Sequence, residues 1–215
     1  MPDCKAVLWI LLRNRAVMIW FRECEQKGPT MAAEVSKKTI LETALLRARN
    51  GGLRAVVIED IAKDLKTTPD TIKADYTDRD ALWLAVLSAL QKEQRHFLAA
   101  LGPGENPRQR LSLFMDSFVE AGAGQVVRGS FLAGLLQDVQ YDEGALTQAA
   151  RQLVQEELDW VVDQFNMMGM VDERFDLSHR LIGAVHGVTL LADALDDPQV
   201  LRRQIMQLKA WVRSM

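Results

Sequence analysis

The densest run of side chains able to hydrogen-bond to a partner is Lys66-Thr67-Thr68-Pro69-Asp70-Thr71-Ile72-Lys73. Threonine at 68 is of the type that caps a helix by accepting a bond from a backbone N–H, and proline at 69 suits the first helical position. A short helix begun this way carries Thr67, Thr68, Asp70, Thr71 and Lys73 at or near its start. Hydroxyls and an ammonium group there suit contacts to base edges and phosphates, not bond-making chemistry. Lys37, Lys38, Arg54 and Lys66 are the cations expected nearer a phosphate backbone. The blander reading is that Thr68 only caps and the lysines are solvated. Contact is favoured for Lys66 and Lys73, whereas Asp70 is better explained by the positive end of the helix dipole than by base readout.

Other chemistries find little support. A hydrolase or transferase needs a nucleophile with its base, paired carboxylates in a pocket, or a metal. Glu156/Glu157 and Asp159/Asp163 read as a solvated helix face, and there is no glycine-rich phosphate loop. The three histidines, His96, His179 and His186, and the two cysteines, Cys4 and Cys24, do not have zinc spacing. Two thiols in a chain of this length read as unpaired in a reducing cytoplasm. The expectation is therefore no enzyme, no catalytic residue, no metal and no cofactor. With 26 basic and 29 acidic side chains the net charge is -3, so any nucleic-acid binding must rest on a local patch.

The elements that must position these groups are all helical. Ser36 caps a helix through Arg49 that carries Ile40, Ala44, Leu45 and Ala48 at helical spacing, and Asn50-Gly51-Gly52 stops it. A second helix near Ile58 to Leu65, a third from Pro69 to Asp75, and a long fourth from Arg79 to about Leu101 follow. Thr77-Asp78 supplies the cap of the fourth. Gly102-Pro103-Gly104-Glu105-Asn106-Pro107 is the clearest break. Beyond it, helices are expected near Arg108–Ala121, Val126–Gln140, Glu143–Met168, Leu177–Leu195 and Pro198–Arg213, with Asp176 or Ser178 capping the fourth of these. No segment alternates with the period of a strand.

The first thirty residues stand apart. Ala6 to Phe21 is apolar but carries Arg13 and Arg15. It is shorter than the roughly 20 residues a membrane-spanning helix needs. Met31 looks like a natural beginning, so residues 1–30 read as an N-terminal extension or a loosely attached helix. An interfacial membrane anchor is the alternative.

Two short helices joined by a tight turn, the second opened by a polar cap, form a helix-turn-helix. The stretch from Ser36 to Leu90 resembles the N-terminal head of the TetR family of transcriptional regulators. The resemblance is carried by Ile40-Leu41-Glu42-Thr43-Ala44-Leu45, Gly51-Gly52-Leu53, Ile58-Glu59-Asp60-Ile61-Ala62, Thr67-Thr68-Pro69-Asp70-Thr71-Ile72, Tyr76 and Asp78-Arg79-Asp80-Ala81-Leu82. In the body it rests on helix count and on Arg128-Gly129-Ser130-Phe131-Leu132, which looks like the start of the family's sixth helix. It implies an all-α protein of about nine helices, with a DNA-binding head at 31–82 and an effector-binding and dimerisation body at 83–215. It also implies a homodimeric, ligand-released repressor on double-stranded operator DNA, with a small-molecule effector of unknown identity. Departures fall on the contact surface: Val57 for a Thr or Ser cap, Glu59 for a basic residue, Lys66 for the turn glycine, and Lys73-Ala74-Asp75 for an aromatic and polar stretch. Residues 36–82 hold nine basic and eight acidic side chains, a margin of only +1.

In the body, Phe114, Phe118, Phe131, Leu135, Leu136, Trp160, Phe165, Met167 and Met168 are candidates to line a cavity, although such residues are more often plain core. Polar groups among them orient a ligand. Phe114, Phe118, Arg128, Phe131, Trp160 and His186 are the candidate effector contacts, with Gln137 and Asp159 as further polar candidates, and a satisfied buried histidine as the alternative for His186. Leu181, Val185, Val188, Leu191, Ala192 and Leu195 make one stripe. Leu201, Ile205, Leu208, Ala210 and Trp211 make another. The resemblance implies that Leu177–Leu195 and Pro198–Arg213 form a four-helix dimer interface, and an intramolecular core is the alternative. The rival to the regulator reading is a helical ligand- or partner-binding protein whose head, with Asp70 and Asp75 on its recognition helix, has lost sequence-specific DNA binding.

Overall fold

The computed structural model describes residues 35–102, 106–122, 131–141 and 144–215, and Ser36–Met215 cluster as one compact unit. The first thirty residues, Arg128 and the start of the helix expected at Val126 lie outside the described residues. The described residues form nine α-helices and no strand. They are α1 (Lys37–Gly51), α2 (Ile58–Asp64), α3 (Pro69–Asp75), α4 (Arg79–Ala100), α5 (Pro107–Gly122), α6 (Phe131–Asp138), α7 (Ala145–Met167), α8 (Arg174–Ala194) and α9 (Pro198–Ser214).

The caps follow from residue type. The Ser36 hydroxyl accepts from the Thr39 N–H at 3.2 Å, Thr68 from Thr71 at 3.4 Å, Asp78 from Ala81 at 2.8 Å and Asp197 from Gln199 at 2.9 Å. α2 has no side-chain cap at Val57, but Glu59 and Asp60 occupy its first turn, where the helix dipole favours them. α8 differs from expectation. It begins at Arg174, three residues early, and neither Asp176 nor Ser178 caps it. Asp176 lies inside the first turn, and the buried Ser178 hydroxyl bonds back to the Arg174 carbonyl at 2.6 Å.

α1 to α3 close on a small core in which Ile40, Ala44, Leu53, Ile61 and Ile72 are completely buried. The start of α4 joins it through Leu82 and Trp83, whose indole N–H donates to the Val56 carbonyl at 3.0 Å. The turn between α2 and α3 places Lys66 at φ +52, a left-handed conformation that glycine adopts freely and lysine does not. Lys66→Gly is therefore expected to raise stability by about 1 kcal/mol, while Lys66→Ala gains nothing. Equal melting temperatures for the two variants would count against stored strain at this position.

α4 lies along α7, and the seam between them includes a polar row. Gln94 donates to the Leu153 carbonyl at 2.7 Å, Gln91 to Glu156 at 2.6 Å, and the Arg95 guanidinium grips the Glu156 carboxylate at 2.5 and 2.9 Å. The Arg95 hydrogen bond holds the Glu156 carboxyl below its ordinary range against a smaller opposing effect of burial. α5, α7, α8 and α9 enclose the main core of Leu111, Phe114, Met115, Val161, Phe165, Leu181, Val185, Leu201 and Ile205. No described helix is long and apolar enough to cross a membrane.

Candidate nucleic-acid interface and ligand site

Thr68 and Pro69 start α3 as their types dictate, and Ile72 anchors its inner face with no exposure. The outer side of this helix and of the turn before it is left to Lys66, Thr68, Asp70, Thr71 and Lys73, all exposed, with Thr67 half-buried. The Thr68 and Thr71 hydroxyls sit 3.0 Å apart, within the cap. Lys66 and Lys73 make no ion pair with any described residue. Lys37 and Lys38 are exposed in the first turn of α1. The Lys37 ammonium lies 5.1 Å from the centre of the Tyr76 ring, and the Tyr76 hydroxyl donates to the Lys37 carbonyl at 3.4 Å. This contact fastens the beginning of α1 to the end of α3. Lys38 pairs loosely with Glu42 at 3.8 Å on an open surface, where such pairs stabilise little.

The acidic residues of α2 are largely neutralised in place. Arg47 reaches Asp64 at 2.7 Å and Asp60 at 3.7 Å, and Lys63 reaches Asp60 at 2.9 Å. The lysine hydrogen bond pulls the Asp60 carboxyl below its usual range. Arg54, expected near a phosphate backbone, is instead engaged by Asp138 at the end of α6. Its Nε lies 2.9 Å from one carboxylate oxygen, and its backbone N–H donates to the other at 3.4 Å. The Asp138 side chain is only 12% exposed. Gly52, at φ +73, makes this approach possible, because a Cβ there would stand 2.4 Å from the carboxylate. Glycine at 52 was readable as a helix stop. Its second duty, toward a residue 86 positions away, left no local signal.

In the body, four of the six candidate effector contacts form one chain of touching rings. Phe114 meets Phe118 at 5.2 Å and Trp160 at 5.5 Å, and Phe118 meets the His186 ring at 5.6 Å. Phe131 is half-buried and joins none of these rings among the described residues. Gln137 and Asp159 are exposed, Phe165 packs near Trp211 at 6.2 Å, and Met167 is 53% exposed and lines nothing.

The expectation that Glu156 and Glu157 share a solvated face is overturned. Glu156 is bound in the α4 seam, and Glu157 is 6% exposed, with an oxygen 2.7 Å from His186 Nε2. α7 has neighbours on several sides, so its charged residues do not sort onto one wet face. His186 thus has the carboxylate partner expected of a satisfied buried histidine. Arg110 stacks on the Trp160 ring at 5.3 Å and donates to the Leu101 carbonyl. The Trp160 indole N–H and the Gln164 Oε1 are buried without a partner. An open groove of about 760 Å³, lined by Lys37, Leu41, Tyr76, Ala85 and Lys92 among others, shares no residue with this cluster.

The stripe expected on α8 divides. Leu181, Val185, Val188 and Ala192 are buried within the chain, as are Leu201 and Ile205 of α9. Leu190, Leu191, Leu195 and Met206 are 54%, 56%, 64% and 70% exposed. A Cβ added to Gly183 or Gly187 would meet nothing within 4 Å.

No protein-family model and no curated relative matches the chain by sequence. Solved structures do match it by shape. A TetR transcriptional regulator from Legionella pneumophila superposes with a TM-score of 0.72 at 18% identity, over 81% of this chain and 96% of that one. The regulatory protein TetR from Rhodobacter sphaeroides gives 0.71 at 16%, over 82% and 98%. A TetR-family regulator from Streptomyces coelicolor gives 0.69 at 19%, over 81% and 93%. The chain has the fold of the TetR-family transcriptional regulators.

Proposed function

We propose that this chain is a TetR-family transcriptional regulator that binds operator DNA as a homodimer and releases it on binding a small molecule. The observation that carries the reading is the outer face of α3 and the turn before it. Lys73 on the second helix of a helix-turn-helix and Lys66 in the turn before it stand exposed with no ion pair to any described residue, beside the exposed Thr68 and Thr71 hydroxyls, and that helix is the element that enters the major groove. The head is the region 31–82 and the body 83–215, working where cytoplasmic DNA is reached. Lys66 and Lys73 contact DNA, with Thr67, Thr68 and Thr71 beside them and Lys37 and Lys38 toward the backbone. The exposed apolar face of α8 and α9, with open glycines in its midst, supports pairing with a second copy, and two-fold symmetry matches palindromic half-sites. An effector among Phe114, Phe118, Trp160 and His186 bears on α7, and the polar seam passes the displacement to α4 and so to the spacing of the paired heads.

A gel shift with DNA from upstream of the protein's own gene tests this. A shift at low salt is expected, and the double variant Lys66→Ala/Lys73→Ala should flatten the log–log salt slope by about 2 per head, one for each lost phosphate contact. Absence of any shift at low salt would leave the second reading, a binding protein of the same fold without sequence-specific DNA contact. The exposure of Asp70 and Asp75 on α3 favours that outcome, because carboxylates repel phosphate.

A further inference from the structure

Glu157, Trp160 and Gln164 fall on one stripe of α7, at intervals of three and four residues. Trp160 and Gln164 each hold a buried polar atom without a partner, and Glu157 sets a nearly buried carboxylate beside them. Gln164 is 1% exposed, and its amide N–H is used on the Trp160 carbonyl at 3.0 Å while its Oε1 has no partner. The Trp160 indole N–H has none either. The Glu157 carboxylate meets His186 through one oxygen, and no described group bonds to the other. Among the described residues, Arg110 is committed to the Trp160 ring and a backbone carbonyl, and Lys209 to Asp116 at 2.6 Å. Buried polar atoms left unpaired cost folding free energy, and a buried carboxylate costs more. A ligand that supplies the missing partners recovers both.

The inventory sets its chemistry. Two acceptors, one of them anionic, and a single donor ask for a molecule richer in N–H groups than in oxygens and carrying positive charge. The rings of Phe114 and Phe118, between Trp160 and His186, ask for a flat apolar body, and aromatic faces also attract cations. We infer that this site takes an aromatic organic cation, a protonated amine or amidine, with its charge at Glu157. The inference rests on the effector reading of the same cluster and adds the class of effector to it.

Three probes with one ring system separate the charges: protonated 2-naphthylmethylamine, neutral 2-naphthylmethanol and anionic 2-naphthoate, titrated calorimetrically into the full chain without DNA. The amine is expected to bind at least about tenfold tighter than the alcohol, with naphthoate weakest. Glu157→Gln should abolish that preference while retaining the helical circular-dichroism spectrum, and Gln164→Leu should weaken the amine without changing the order. Equal affinity for amine and alcohol, preference for naphthoate, no binding of the amine at millimolar concentration, or an unchanged preference in Glu157→Gln would each overturn the inference. The gel shift is read separately. A chain that shifts DNA but prefers naphthoate keeps the regulator reading and loses this one. A chain with Glu157-dependent amine binding and no shift does the reverse.

Discussion

Gly52→Ala is expected to cost about 3 kcal/mol or more and to loosen α6 from the head. Two independent costs combine. The backbone at φ +73 and ψ -174 belongs to a region essentially confined to glycine, worth about 1–3 kcal/mol for any other residue. The added methyl would also stand 2.4 Å from the Asp138 carboxylate, well inside contact. The carboxylate must then withdraw, giving up the Arg54 guanidinium at 2.9 Å and the Arg54 N–H. Asp138→Ala alone should cost less, because the ion pair is open on the arginine side, which is 65% exposed. In the double variant the clash disappears, and the backbone strain and the single loss of the Arg54 contacts remain. Urea denaturation of both single variants and the double one measures this, and strictly additive losses would show that the glycine does not serve the approach of Asp138.

Gly187→Arg is expected to leave a folded monomer and to weaken operator binding by about a hundredfold, the usual scale when one of two linked half-site contacts is lost. A Cβ at this position would meet nothing within 4 Å, so the new side chain starts out from open space on the surface of α8. The neighbours on that face are Leu190 and Leu191, each more than half exposed, with Met206 of α9 exposed as well. A guanidinium placed there repels a close, apolar helix approach by bulk and by the cost of burying charge. Sedimentation at micromolar concentration reads the first effect, and a gel shift the second. An unchanged melting temperature is the check that the fold survives. A Gly187→Arg protein that still sediments as a dimer would move the interface elsewhere.

What the sequence revealed was whatever depends on short-range chemistry. Ser36, Thr68 and Asp78 cap helices because a hydroxyl or carboxylate three residues before a free N–H can reach it, and those starts were readable one by one. The ring chain of Phe114, Phe118, Trp160 and His186 was readable as a set of apolar positions with one polar member. Long-range pairing was not. Glu157 looked solvated because the neighbours that bury it come from α8 and elsewhere in the chain. Arg54 looked like a phosphate contact because Asp138, its partner, is 84 residues away. The stripe on α8 was visible, but helical periodicity cannot say which half of a wide apolar surface the chain keeps for itself. The chain uses Leu181, Val185 and Val188, and leaves Leu190, Leu191 and Leu195 outside.

The seam between α4 and α7 has a mechanical consequence. Interlocked apolar side chains resist sliding, since each must climb out of its socket before dropping into the next. Here part of the joint is polar, with Gln91, Gln94 and Arg95 bonded to Glu156 and a backbone carbonyl. Those bonds can be traded for water or for one another at little net expense. That polar row is therefore compliant: its share of the resistance to α4 travelling along its neighbour is set by solvent more than by packing. Leucines in place of the two glutamines would turn that row into a ratchet.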